Sequence, residues 1–271
     1  MNVSLLGAQA VDWLALQPGP PIRLVMCDID GVITRGEGQP VDLPVITRVA
    51  ALNRAALSDP YVPALTLCTG RQAPYVELMA QLTETFLPCI FEHGAGLFFP
   101  RAFRYEFNVA PDYSAGLARV RAALEPDLLA TGRAFVQPGK EATMTLYPIS
   151  ASLDEVYATA SAVLASQAPQ FSVARNVQGI EVRPHGIDKG VGLRRAAELL
   201  ALPLTTFAGV GDSDPDLSFL ELCAFSAAPA NAAPAVKSAV DFVSNKPYGE
   251  GLVEILQLLE SRNRSHGQAG L

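Results

Sequence analysis

The sequence has few charged residues and no excess of basic side chains. Charged residues make up 17% of its 271 residues, against about 25% in a typical globular domain. Its 20 Lys and Arg are outnumbered by 27 Asp and Glu, which gives a formal net charge of −7. This balance argues against a broad binding surface for nucleic acid or acidic lipid. Apolar residues at 49% exclude disorder as a description of the whole chain.

Cysteine pairs, a secretory leader and long apolar runs are also missing. The four cysteines form no Cys-x-x-Cys pair and have no histidines at zinc-binding spacing, which predicts a reduced, cytoplasmic protein. The first twenty residues lack the basic region of a secretory signal, and no apolar run reaches the ~20 residues of a membrane span. We therefore expect neither export nor a membrane anchor.

The pattern that is present is typical of a parallel α/β protein. Nearly continuous apolar runs, the mark of strands covered on both faces, lie at 22–27, 62–68, 205–210 and 224–228. Apolar residues spaced for amphipathic helices lie at 43–57, 74–82 and 189–200. Alternating strands and helices predict right-handed crossovers and a parallel sheet.

Residues 101–185 have a different pattern of apolar and polar residues. Apolar and polar residues alternate at 142–147 and 179–183, as in half-exposed antiparallel strands, and Ser152-x-x-Glu155 matches a helix capping box. We therefore predict a parallel α/β core with an inserted α+β domain. The predicted units are an N-terminal extension at 1–21, a core at 22–100 and 186–263, the insert at 101–185 and a flexible tail at 264–271.

The strongest chemical signal is Asp28-Ile-Asp-Gly-Val-Ile-Thr34, directly after the first apolar strand. In an open α/β sheet, ligands bind beyond the carboxyl ends of the strands. Two carboxylates there, Asp28 and Asp30, repel each other unless a cation lies between them, and Mg²⁺ suits oxygen ligands. The alternative interpretation is a solvated acidic turn.

Three other segments also follow predicted strands or begin a helix. Thr69-Gly70-Arg71 offers a hydroxyl and a flexible amide to an anionic oxygen, although a helix cap explains it equally well. Lys189 begins a helix, where a positive charge is disfavoured, so it either neutralises an anion or is a solvated surface lysine. The segment from Asp212 to Asp216 adds three acids after another strand, either in the crevice or as an exposed, self-capping turn.

Taken in this order, DxDGxxT, Thr, Lys and GDxxxD resemble the haloacid dehalogenase-like (HAD) phosphohydrolase superfamily. The insert between Thr69 and Lys189 resembles the mixed α/β cap (type IIB) of its Cof-like and sucrose-phosphatase-like subclass. Within that subclass, Glu92-His-Gly-Ala95 and the segments 229–232 and 241–251 are most similar to the archaeal-type phosphoglycolate phosphatases. The resemblance implies a Rossmann-like core, an inserted cap and a Mg²⁺-dependent phosphatase.

The resemblance also implies the catalytic roles. Asp28 would be the nucleophile that forms an aspartyl-phosphate, and Asp30 would be the general acid and then the general base. Thr69, the Gly70 amide and Lys189 would surround the phosphoryl group and stabilise its charge.

The metal ligands are implied in the same way. Asp28, the backbone carbonyl of Asp30 and Asp212 would bind Mg²⁺, and Asp216 would lie behind them, orienting a water or the lysine. Pro215 stiffens the GDxxxD loop, which leaves open whether Asp214 or Asp216 faces the metal.

Substrate choice is expected to lie with the cap, because the core meets only the phosphate. The candidate substrate residues are Arg71, Lys140 and Glu141, and the expected substrate is a small phosphorylated metabolite, either phosphoglycolate or a sugar phosphate. Two other functions stay open, a sugar-phosphate phosphomutase and a catalytically idle binding protein on the same fold.

Overall fold

The computed structural model describes residues 3–16, 21–110, 112–176 and 178–269. The described strands are β1 Leu24–Cys27, β2 Ala64–Leu67, β3 Cys89–Phe91, β4 Gly96–Phe99, β5 Arg104–Phe107, β6 Ala134–Val136, β7 Met144–Pro148, β8 Phe171–Arg175, β9 Ile180–Pro184, β10 Phe207–Val210, β11 Phe225–Ala228 and β12 Phe242–Val243. The described helices are α1 Val3–Ala15, α2 Leu43–Ala56, α3 Ala73–Leu82, α4 Asp112–Leu124, α5 Leu153–Gln167, α6 Lys189–Leu200, α7 Leu217–Leu220, α8 Pro234–Ala239 and α9 Tyr248–Ala269.

Five parallel strands form the central sheet, in the order β12-β11-β10-β1-β2. In β1, Leu24 and Met26 belong to the apolar core on one face, and Val25 and Cys27 belong to the core on the other. Both faces are therefore covered, as its continuous apolar run predicts. The last residue of β1, Cys27, is level with the last residues of β2 and β10. The loops that follow these three strands consequently leave the sheet side by side.

Side-chain caps fix the first turns of two helices next to this edge. The Asp42 carboxylate accepts a hydrogen bond from the Val45 amide at the start of α2, and Asp188 accepts one from the Val191 amide at the start of α6. Each cap satisfies an amide that the helix itself leaves unpaired. The cap at Asp188 sets Lys189 as the first residue of α6, beside the sheet edge.

A second unit of the fold is a four-stranded antiparallel sheet of order β6-β7-β9-β8, with α4 and α5 packed against it. It has its own apolar core, which extends from Leu117 to Val182. The predicted capping box at the start of α5 is present, because Ser152 and Glu155 exchange hydrogen bonds. A parallel core sheet with a separate antiparallel insert confirms the predicted fold class.

The boundary predicted between residues 100 and 101 falls inside a hairpin. β3, β4 and β5 form a three-stranded antiparallel sheet, in which Phe99 pairs with Arg104. This sheet adjoins the core through a parallel bridge between Cys68 and Ile90. We therefore propose that the hairpin belongs to the core and that the cap comprises residues 112–184.

The structure describes a helix at each end of the chain. Trp13 of α1 is 3% exposed and packs edge-on against Phe86 at 6.0 Å, so we propose that the predicted extension belongs to the core. α9 continues to Ala269, where Arg264 pairs with Asp59 at 2.6 Å and with Glu260 at 2.8 Å. Residues 1, 2, 17–20, 270 and 271 of these predicted segments lie outside the described residues.

The described residues include the four cysteines and the helices, on which the predicted lack of cysteine pairs and of a membrane span depends. Cys27, Cys68 and Cys89 are buried and free, and Cys223 is free and partly buried. Among the described helices, none combines the length and the apolar content needed to cross a membrane.

Candidate active site

The sheet edge brings together segments that are far apart in the sequence. Asp28 directly follows β1, Thr69 lies just beyond β2, and Asp212 lies just beyond β10. Lys189 reaches the same place from the start of α6. These four side chains line one cavity of about 780 Å³, so the sequence-predicted residues share a single site.

Lys189 lies between two buried carboxylates. Its Nζ is 2.9 Å from Asp28 Oδ1 and 2.5 Å from Asp216 Oδ1. Burial alone would lower the pKa of Lys189, but Asp216 and Asp28 outweigh it and hold that pKa well above its ordinary value. The two carboxylates therefore favour the charged form of Lys189 in the lining of the cavity.

Asp216 uses both carboxylate oxygens within the protein. Oδ1 accepts from Lys189, and Oδ2 accepts from the Asp212 and Ser213 amides at 2.9 Å and from the Ser213 hydroxyl at 3.1 Å. Asp216 thus fixes both the lysine and the loop that carries Asp212. Asp214 is exposed where it lines the cavity.

The carboxylates form a group with the geometry of a metal site. Asp28, Asp212 and Asp216 each place one oxygen within 4.8 Å of the others. Oδ1 of Asp212 is buried and has no hydrogen-bond partner among the described residues. Because Asp216 is already saturated by donors, Asp28 and Asp212 are the members of the group with oxygens left to offer a cation.

The pKa values at the site indicate the same need for positive charge. Burial, followed by the nearby Asp216, raises the pKa of Asp212 to about 7. Burial, together with Asp216 and Asp212, also raises the pKa of Asp28 well above its usual range, although Lys189 opposes this. A divalent cation with oxygen ligands relieves this repulsion, so these residues fit a hard divalent cation.

Position 31 of the DxDG motif requires glycine because the Asp212 carboxylate lies close to the backbone there. Its φ is +87°, and a Cβ there would lie 2.1 Å from Asp212 Oδ2, a separation that no side chain tolerates. The Gly31 carbonyl also accepts a hydrogen bond of 2.9 Å from Asn231 Nδ2. The motif therefore needs a residue without a side chain at this position.

The side chain of Asp30 is held by the core. Arg71 donates from Nε to Asp30 Oδ2 at 2.5 Å and from Nη2 to Asp30 Oδ1 at 3.0 Å. The Thr34 hydroxyl donates to Asp30 Oδ1 at 3.2 Å. This two-point pairing fixes the plane of the carboxylate, so Arg71 controls the orientation of Asp30.

The segment after β2 is packed against a histidine. Thr69 is 1% exposed, and a Cβ at Gly70 would lie 2.3 Å from His93 Nε2. Glycine at position 70 is therefore a packing requirement, and it leaves the Gly70 backbone open to the cavity that it lines.

The cap supplies the other side of the cavity. Gln137, Lys140, Tyr147, Glu181 and Arg183 are among its lining residues. Of the predicted substrate residues, Arg71 and Lys140 line the cavity, whereas Glu141 is exposed and lies outside the lining.

Two residues of the cavity lining, Glu181 and His93, were not predicted as site residues. Glu181 Oε2 lies 2.6 Å from His93 Nε2, and Glu181 Oε1 lies 3.7 Å from Lys140 Nζ. Burial would raise the pKa of Glu181, but His93, Lys140 and Arg183 outweigh it and hold that pKa below its ordinary value. The sequence carries no local signal for this cluster, because its members come from three separate segments.

Glu92 joins the core to the cap. It is fully buried, and Oε1 accepts from the Glu141 amide at 2.9 Å. Oε2 accepts from the amides of Ala142 and Thr143 at 2.9 and 2.8 Å and from the Thr143 hydroxyl at 3.0 Å. The loop that follows Lys140 is thereby tied to the core. Glu141 takes part in this contact through its backbone amide and not through its side chain.

Comparisons with known proteins show what the chain is similar to. The family model of haloacid dehalogenase-like hydrolases matches residues 129–256. The chain is 26% identical over 246 residues to the phosphoglycolate phosphatase of Methanosarcina acetivorans, covering 88% of this chain and 97% of that protein. It is 44% identical over 77 residues to the phosphoglycolate phosphatase of Methanothrix thermoacetophila, covering 28% of this chain and 35% of that protein.

A solved structure shows the same fold. A HAD/COF-like hydrolase from Plasmodium vivax matches with a TM-score of 0.69 at 14% identity, covering 93% of this chain and 98% of that chain. The family model and the near full-length relative make the chain similar to haloacid dehalogenase-like hydrolases, and the solved structure shows that it shares their fold.

Proposed function

We propose that the protein is a Mg²⁺-dependent phosphatase that hydrolyses a small phosphorylated metabolite through an aspartyl-phosphate on Asp28. The observation that carries the proposal is the convergence of Asp28, Asp30, Asp212 and Lys189 in the lining of one cavity. Two carboxylates for covalent and acid–base chemistry, a fixed cation and an unpartnered metal-ligand oxygen are the parts that phosphoryl transfer requires.

The metal would be held by the carboxylates of Asp28 and Asp212 and by the backbone carbonyl of Asp30. When bound, Mg²⁺ would neutralise charge on the phosphoryl oxygens and on the two carboxylates. Asp216 would keep Asp212 in place through the hydrogen bonds to its backbone.

The chain's own residues would perform two displacements. An Asp28 carboxylate oxygen forms a bond to phosphorus while the ester oxygen leaves and takes a proton from Asp30. Asp30 then accepts a proton from a water whose oxygen attacks the same phosphorus, which releases phosphate and restores Asp28. Lys189, the Thr69 hydroxyl and the Gly70 amide surround the phosphoryl group and stabilise its charge in both steps.

The cap favours a substrate with a second anionic group. Lys140 is 3% exposed and lines the cavity together with Arg183. The Arg183 guanidinium has no hydrogen bond or ion pair among the described residues, so it is available to a ligand. A carboxylate would be recognised by such a pair, and we therefore place phosphoglycolate first and sugar phosphates second.

The first test is phosphate release from a panel that contains phosphoglycolate, sugar phosphates, nucleotides and phosphorylated cofactors. We expect Mg²⁺-dependent release that Asp28→Asn abolishes, with a preference for phosphoglycolate. The matched control is Asp214→Asn, which changes an exposed acid of the same site. Activity that survives in Asp28→Asn would contradict the aspartyl-phosphate, and no release from any compound would contradict the phosphatase.

A further inference from the structure

Glu37 connects the cap to the pair that holds Asp30. From the cap, Gln137 Nε2 donates to Glu37 Oε1 at 3.1 Å and the Tyr147 hydroxyl donates to Glu37 Oε2. From the core, Arg71 Nη1 lies 3.2 Å from Glu37 Oε1. The Glu37 carboxylate therefore contacts both the cap and the core, beside the active site.

Arg71 connects the Glu37 carboxylate to Asp30, the proposed acid–base residue. Its Nε and Nη2 atoms are occupied by Asp30, its Nη1 atom is paired with Glu37, and its guanidinium lies 4.7 Å from the ring of Tyr75. The side chain is only 13% exposed. A planar guanidinium that is paired with a carboxylate on each side has a single orientation. The position of Glu37 therefore sets the orientation of the Arg71 guanidinium and, through it, that of the Asp30 carboxyl group.

The backbone presents Glu37 to the cap. Residues 36–39 form a turn closed by a hydrogen bond from the Gln39 amide to the Gly36 carbonyl. Gly38, at the third position, has φ of +73°, a conformation that glycine adopts without steric cost. A Cβ at Gly36 or Gly38 would meet nothing within 4 Å, so these glycines serve the shape of the turn and not its packing.

We propose that Glu37 is a positioning residue that makes the orientation of Asp30 depend on the seating of the cap. With the cap in place, Tyr147 and Gln137 hold Glu37, Glu37 holds Arg71, and Arg71 fixes the plane of the Asp30 carboxyl group. In this orientation Asp30 faces the water whose proton it accepts when the aspartyl-phosphate is hydrolysed. The inference rests on the proposed function and adds to it a dependence of the second step on the cap.

The test uses p-nitrophenyl phosphate with Mg²⁺, followed by rapid mixing. Nitrophenolate leaves without a proton, so the rate of phosphoenzyme formation does not depend on Asp30 as a general acid. The rate of phosphoenzyme hydrolysis still depends on Asp30 as a general base. We expect Glu37→Gln to lower the steady-state rate about tenfold while the initial burst of nitrophenolate stays near one equivalent per enzyme. Loss of general acid–base catalysis costs about 10²- to 10⁴-fold, so a misplaced base accounts for a fall of this size.

A double-mutant cycle identifies the route. Tyr147→Phe is expected to lower the steady-state rate several-fold and to have no further effect in the Glu37→Gln background, because both act on one chain of contacts. The matched control is Tyr105→Phe, which removes another tyrosine hydroxyl from another carboxylate, 2.6 Å away on Glu77, at an exposed site. That variant should keep the wild-type rate.

The outcomes separate the two proposals. Additive effects of the two substitutions, a burst that falls with the rate, or an unchanged rate in Glu37→Gln in an active enzyme would overturn the positioning role alone. A wild-type protein with neither burst nor turnover would overturn the phosphatase, and the positioning role with it. Thermal unfolding of each variant shows that the comparison is between folded proteins.

Discussion

At the scale of single residues, the site concentrates negative charge that the protein does not fully compensate. Asp28 and Asp216 share one cation, Lys189, while Asp212 Oδ1 is buried without a hydrogen-bond partner among the described residues. Burying a charge without a partner costs several kcal/mol. A metal-binding site of this kind therefore lowers the stability of the metal-free fold, a usual cost of function.

Asp212→Asn should consequently stabilise the metal-free protein at high pH. The pKa of Asp212 is raised to about 7 from an ordinary 3.8, so the folded state binds the proton more tightly than the unfolded state does. The penalty is fully present above pH 7 and disappears below pH 4, so lowering the pH across this range stabilises the wild type. In chelator at pH 8 we expect the variant to gain on the order of 2 kcal/mol in unfolding free energy.

Denaturant unfolding at several pH values measures this gain. It should shrink as the pH falls toward 5, and added Mg²⁺ should stabilise the wild type but not the variant. Asp214→Asn, an exposed acid in the same loop, should show neither effect. A variant less stable than the wild type at pH 8 in chelator would contradict the assignment of uncompensated charge to Asp212.

At the scale of elements, the N-terminal helix α1 completes the core beside the central sheet. Trp13 packs against Phe86, and the Arg23 guanidinium lies 4.7 Å from its ring and donates to its carbonyl at 3.0 Å. Neither contact involves the cavity, whose lining contains no residue of α1. The helix thus stabilises the sheet without taking part in the chemistry.

Trp13→Ala should therefore lower stability and leave catalysis unchanged. Removing a buried tryptophan costs about 3 kcal/mol or more through lost burial and the cavity that remains. Denaturant unfolding and phosphate release measured on the same samples check both parts. Leu43→Ala is the control, because Leu43 is 63% exposed and its truncation should change stability little. A fall in the turnover of folded Trp13→Ala protein would contradict this division of roles.

At the scale of the whole molecule, the cap is tied to the core by carboxylates of the core. Glu92 accepts four hydrogen bonds from the loop 141–143, and Glu37 accepts two from Tyr147 and Gln137. Both carboxylates lie beside the loops of the active site. The position of the cap, and with it the position of Lys140, therefore depends on residues of the other unit.

Glu92→Gln should weaken substrate binding more than it slows turnover. The amide nitrogen of glutamine cannot accept from the backbone amides that now meet a carboxylate oxygen, so the loop must shift and carry Lys140 with it. We expect KM for phosphoglycolate to rise about tenfold with a smaller change in kcat, a loss of roughly 1.4 kcal/mol in binding.

Steady-state kinetics of phosphate release measure this change. Glu84→Gln is the matched control, because Glu84 is half-exposed and, within the described part of the chain, its one ion pair is with Arg54 on the surface. An unchanged KM, or a fall confined to kcat, would show that Glu92 does not act through Lys140.

Much of the fold could be predicted because it depends on local patterns. The predicted helix at 189–200 matches α6, and the apolar runs at 22–27, 62–68 and 205–210 contain β1, β2 and β10. The hairpin of β4 and β5 could not be placed, because nothing in its sequence says whether it pairs with the core or with the insert. The continuation of α9 beyond the predicted helix brings Arg264 into contact with a residue distant in the chain, Asp59.

The sequence by itself determined the gathering of Asp28, Thr69 and Asp212, because parallel strands end at one edge of a sheet and each residue lies within two positions of the end of such a strand. Only the tertiary structure decided that Arg71 pairs with Asp30, that Glu37 and Glu92 hold the cap, and that Glu141 lies outside the cavity. These relations join residues that are distant in the chain, and they depend on how the core and the cap meet. No periodicity or local motif encodes such a contact, since it exists only where the two surfaces come within hydrogen-bonding distance.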